Sequence, residues 1–181
     1  GELHVKKLND QYEDMEIAIR SAVMDAASLK EYDKSKRSDE KKKAKDQKKA
    51  AKLKHAKEKQ AKKKQDTATD EPVEEKTVYV LDFDGDMKAS EVDGFREEIT
   101  AVLTIAKAHD EVVLKLESPG GMVHAYGLAA SQLARFKSAG VPLTICVDKV
   151  AASGGYMMAC IADKILAAPF AVIGSIGVVA S

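Results

Sequence analysis

An α/β fold is predicted, a parallel sheet of repeated βαβ units behind a charged N-terminal arm. Three observations predict it. From residue 77 onward, β-branched and aromatic runs alternate with stretches of helical spacing, the pattern of strands joined by crossover helices. Two of the joints are strand–glycine–helix corners, Ser118-Pro119-Gly120-Gly121 and Ser153-Gly154-Gly155. Ahead of both, residues 30–65 carry 17 basic and 6 acidic residues, net +11, while the remaining positions carry 12 basic and 23 acidic, net −11. The zero net charge of the 181 residues therefore hides two physically different segments.

Residues 1–29 place Leu3, Leu8, Tyr12, Met15, Ile19, Ala22, Val23, Ala26 and Ala27 mostly three and four apart, which predicts one amphipathic helix. Asn9 or Asp10 can start it, and its apolar face needs a partner surface. Residues 30–65 are Lys, Ala, Gln and Glu with almost no large apolar side chains, so a solvated, fraying helix or disorder is expected. Residues 66–76 read as an acidic linker broken by Pro72. A lysine run can meet nucleic acid or anionic lipid. Here no aromatic residue interleaves the lysines from residue 33 onward and Arg37 stands alone among them, which argues against base stacking and bidentate phosphate recognition. A spacer is expected, with contact to a lipid surface as the competing reading and no nucleic-acid partner. No run of about 18 apolar residues occurs, so no segment is predicted to span a bilayer.

Residues 77–83 (T-V-Y-V-L-D-F) predict a strand, closed by the turn Asp84-Gly85-Asp86. Residues 90–108 predict a helix capped by Ser90, with Val92, Phe95, Ile99, Val102, Leu103 and Ile105 or Ala106 on its apolar face. A strand at 111–117, a helix at 122–139, a strand at 142–147, a helix at 154–162 and a short strand at 164–167 follow. Cys146 and Cys160 are expected to be buried thiols that pack as small hydrophobes. Without C-x-x-C spacing they do not suggest zinc.

The chemistry concentrates at the corners. Ser153 lies between an apolar strand and a helix starting at Gly154, where unpaired backbone N–H groups favour an alkoxide and an adjacent oxyanion. The competing reading is that Ser153 only caps the helix. In the other corner, Pro119 removes a donor and Gly120 and Gly121 expose consecutive N–H groups, as in an anion nest or half an oxyanion hole. Parallel strands with right-handed crossovers bring both corners to one sheet edge. Serine also needs a base. No histidine follows Ser153, and His124, early in the 122–139 helix, reads as a cap neighbour or surface residue. A lysine base must be neutral, yet Lys149 and Lys164 lie beside Asp148 and Asp163 and are expected as surface ion pairs. No metal, nucleotide or other cofactor motif is present.

The pairing of E-S-P-G-G (117–121) with A-A-S-G-G-Y (151–156), followed by G-S-I-G (174–177), resembles the signal peptide peptidase A family of bacterial membrane serine peptidases, most closely its SohB branch. The resemblance covers residues 77–181, and the lysine-rich stretch is similar too. It implies a ClpP/crotonase-like fold and a Ser–Lys dyad with Ser153 as nucleophile. It also implies an oxyanion hole from Gly120 and Gly121 together with the N–H of Gly154. The base lysine implied by the family falls beyond Ser181. With no Met at Gly1 and an apolar run just before the last residue, the chain is expected to be a fragment cut inside its domain. The expected organisation is an amphipathic helix at 1–29, a lysine-rich spacer and acidic linker at 30–76, and the N-terminal part of a peptidase domain at 77–181. The resemblance further implies peptide or membrane-protein fragment substrates, a homo-oligomer, and attachment to the bacterial inner membrane through an upstream segment. Positive-inside logic puts the lysine run in the cytoplasm, whereas the family implies an active site on the periplasmic side. Two alternatives stand beside the peptidase: a crotonase-like acyl-thioester enzyme, in which the glycine turns would hold an enolate, and a catalytically silent membrane scaffold.

Overall fold

The computed structural model describes residues 3–61 and 75–177, which fall into two compact units, one up to residue 74 and one from residue 75. In the first unit, helix α1 (Leu8–Val23) ends where the Met24 N–H donates to the Arg20 carbonyl at 2.8 Å. Helix α2 (Ala26–Ala61) starts at once, because the Asp25 carboxylate accepts the N–H groups of Ala27 and Ser28 at 2.9 and 3.0 Å. The single helix expected over 1–29 is thus two, divided by an aspartate cap. Polar groups join them: Tyr32 donates its hydroxyl to Glu16, Arg20 stacks 4.1 Å from the Tyr32 ring centre, and Lys36 pairs with Glu13. Tyr12, Met15, Ile19 and Val23 remain exposed. The lysine-rich stretch is helical up to Ala61, while the linker at 66–74 lies outside the described residues.

The second unit is built on four parallel strands in the order β1 (Val78–Asp84), β2 (Glu111–Glu117), β3 (Leu143–Val147) and β5 (Lys164–Ala167). Alternation decides the covered face. Leu81 and Phe83 of β1 and Val112, Leu114 and Leu116 of β2 are buried, whereas Asp82 and Lys115, neighbours in the register, pair in solvent. Helix α3 (Val92–Leu103) brings Phe95 and Ile99 to the core, and α4 (Val123–Ser138) brings Tyr126, Ala129, Leu133 and Phe136. Helix α4 stops because Gly140 takes φ 69°, letting its N–H reach the Lys137 carbonyl and the Val141 N–H reach that of Phe136. Repeated βαβ units therefore form as expected.

Three expectations need correction. Ser90 does not cap α3: its hydroxyl and N–H both go back to the Asp86 carboxylate, which organises the turn and is held below its usual pKa by those bonds. The helix begins at Val92, without a side-chain cap. Cys160 is exposed, since helix α5 (Gly154–Ala159) ends before it, and Cys146 is half-buried on the less covered face of the sheet. A short strand intervenes before Ser153: β4 (Val150–Ala152) leaves the main sheet and pairs in parallel with β6 (Val172–Gly174). Among the described residues no helix is long and apolar enough to cross a membrane, and no cluster of His, Cys, Asp or Glu could hold a metal ion.

Candidate active site

β4 delivers Ser153 to a tight turn at the head of α5. Its backbone has φ 52° and ψ −117°, a left-handed region that costs a non-glycine residue roughly 1–3 kcal/mol and persists only where the surroundings impose it. Two neighbours do so here. The Ser153 N–H donates to the Gly174 carbonyl at 2.8 Å, and the Ser153 carbonyl accepts the Met157 N–H at 3.0 Å. The half-buried hydroxyl makes no capping bond to α5 and has no hydrogen-bond partner among the described residues. As α5 is only six residues long, its individual N–H groups matter here more than a helix dipole.

The glycine turn after β2 lies directly against this serine. A Cβ added at Gly120 would fall 2.6 Å from the Ser153 Cβ, 2.7 Å from the Ala152 carbonyl oxygen and 2.9 Å from the Gly154 nitrogen. Gly120 also has φ 91°, so both space and conformation require glycine there. Gly121 packs on the Met87 backbone, and the next N–H, of Met122, donates to the Met87 carbonyl at 2.9 Å. Gly154 is covered by the Tyr126 ring, whose Cγ would stand 2.5 Å from an added Cβ. The N–H groups are not equally available. That of Gly120 donates to the Ser118 Oγ at 3.0 Å, whereas no hydrogen bond among the described residues uses that of Gly121 or Gly154.

No basic side chain is bonded to Ser153 among the described residues. Lys149 pairs with Glu117, at 2.9 and 3.1 Å, rather than with Asp148. The hydrogen bond and charge of that carboxylate push the ammonium above its usual pKa, opposite to what a neutral base requires. Asp163 accepts the Leu143 N–H instead of pairing with Lys164, and His124 is exposed in the first turn of α4.

Sequence reasoning left two side chains out of this site, Ser118 and Tyr126. Both are fully buried, 2.7 Å apart between hydroxyl oxygens, and Tyr126 also bonds the Asp86 carbonyl. A hydroxyl on the buried face of α4, amid Ala129, Leu133 and Phe136, is the signal that could have found Tyr126, because a buried phenol requires a partner.

Known proteins match the chain along nearly its whole length. Residues 1–133 match the model of peptidase family S49 N-terminal and residues 135–181 that of peptidase family S49. A probable protease SohB from Haemophilus influenzae is 55% identical over 180 residues, 99% of this chain and 47% of that protein. One from Buchnera aphidicola subsp. Acyrthosiphon pisum is 64% identical over 104 residues, 58% of this chain and 31% of that protein. The chain thus spans about half the length of these curated relatives or less. Among solved structures, a ClpP1 point mutant from Listeria monocytogenes shows a slight likeness, with TM-score 0.36 and 14% identity over 48% of this chain and 46% of that one.

Proposed function

The chain belongs to peptidase family S49, and from that membership we propose that the protein containing it is a membrane-associated serine endopeptidase with Ser153 as the nucleophile of a Ser–Lys dyad. One observation carries the reading: Ser153, whose hydroxyl has no partner among the described residues, is held at φ 52° with its Cβ against Gly120, and the N–H groups that follow in the two corners, of Gly121 and Gly154, are uncommitted. Ser153 Oγ attacks the peptide carbonyl while its proton passes to a neutral lysine, which then protonates the leaving amine. Water hydrolyses the acyl-serine with the same lysine as base. The N–H groups of Gly121 and Gly154 hold the oxyanion; Gly120, whose N–H is taken by Ser118, contributes close approach. The lysine is assigned to a position after residue 181, since Lys149 is committed to Glu117. Peptides or membrane-protein fragments as substrates, a homo-oligomer, and an inner-membrane setting with a periplasmic active site belong to the same proposal.

In the complete protein, Ser153→Ala should lower peptide hydrolysis on the order of a thousandfold or more, because nucleophile and base act as a unit. Undiminished hydrolysis by a folded Ser153→Ala protein would overturn the assignment.

A further inference from the structure

We propose that Ser118 and Tyr126 are positioning residues that lock the glycine turn against the nucleophile, an inference that rests on the peptidase reading above. The hydrogens of their chain can be arranged in one way only. The Asp86 carbonyl can only accept, so Tyr126 donates to it at 2.5 Å. The 2.7 Å bond between the hydroxyls is then donated by Ser118, which leaves the Ser118 oxygen to accept the Gly120 N–H at 3.0 Å. Both side chains are fully buried. No room remains beside them: a Cβ on Gly85 would lie 2.5 Å from the Tyr126 oxygen and 2.7 Å from that of Ser118.

Ser118 is also the joint between the two corners. Its N–H donates to the Val150 carbonyl and its carbonyl accepts the Ala152 N–H, each at 2.9 Å, so its main chain is tied to the strand that delivers Ser153. Its side chain, held in one rotamer by Tyr126, fixes Gly120 against that same serine. The main chain sets where the corners meet, and the hydroxyl fixes the Pro119–Gly120 peptide and with it the position of Gly120 from which the following Gly121 N–H is presented. Ser118→Ala keeps the main-chain joint and removes the hold on Gly120 and the bond to Tyr126. Tyr126→Phe keeps the ring over Gly154 and removes the lock on the Ser118 rotamer together with the bond to the Asp86 carbonyl.

The test uses the complete protein and a fluorogenic peptide substrate, with Ser118→Ala, Tyr126→Phe, the double variant and Ser153→Ala measured together. Each single change should lower kcat about tenfold to a hundredfold, the scale of a misaimed transition-state donor, and leave KM within about twofold. The double variant should be no slower than Ser118→Ala by more than about threefold, because both changes cut one chain. A purely structural role would lower the melting temperature with kcat unchanged, and that result overturns the inference. So would losses that multiply in the double variant. If Ser118→Ala does not fold, Tyr126→Phe decides alone. An inactive Ser153→Ala beside fully active Ser118→Ala and Tyr126→Phe would defeat this inference only, whereas an active Ser153→Ala would defeat the reading beneath it.

Discussion

The two serine–glycine corners share a local grammar and differ in what their hydroxyls touch. Ser118 follows β2, is fully buried, and spends its hydroxyl on Tyr126 and Gly120. Ser153 follows β4, is half-buried in a left-handed backbone conformation, and keeps its hydroxyl uncommitted. A serine at a glycine corner is therefore not chemically defined by its neighbours in sequence. A hydroxyl that donates one bond and accepts another is a structural pin; one held in a strained turn without a partner is available to a substrate.

The contact between the corners offers the strongest way to break the comparison. Gly120→Ala combines a positive φ with a Cβ placed 2.6 Å from that of Ser153, so either the turn or the serine must move. We expect a stability loss of roughly 1–3 kcal/mol in urea unfolding and a drop in kcat of about a hundredfold. A variant of native stability and rate would mean that the two corners do not need to touch.

A smaller effect sharpens the comparison from outside. Lys149 on one corner pairs with Glu117 on the other, so Lys149→Met tests whether this bridge joins the corners chemically or only at the surface. Because the pair is exposed, kcat should stay within about twofold of the parent. A loss of a hundredfold or more would make Lys149 the base and remove the need for a lysine after residue 181.

What was legible followed from local signals. β2 occupies the residues expected for it, Glu111–Glu117, because apolar alternation runs cleanly up to the Pro119 turn. The glycines around Ser153 also marked that corner correctly as a strand-to-helix joint. β4 was not legible: Val150–Ala152 is too short to show a period, and its partner β6 lies about twenty residues away, so the pairing is a tertiary fact. The Ser90 cap was misread because Asp86, four residues earlier, competes for the same hydroxyl. In the candidate site, Pro119 and the glycines drew attention to backbone donors and away from Ser118, whose hydroxyl claims one of them. Nothing in one dimension brings Ser118 and Tyr126, eight residues apart on a strand end and a helix, to 2.7 Å.

The most direct measurement of the central claim is the site of covalent labelling. The complete protein, folded and treated with a fluorophosphonate, should carry a single adduct that peptide mass spectrometry assigns to Ser153, with Ser118 unmodified, because of the two corner serines Ser153 alone combines access with an uncommitted hydroxyl, beside uncommitted N–H groups. Inactivation accompanied by an adduct on Ser118 or another residue, with Ser153 unmodified, would contradict the account.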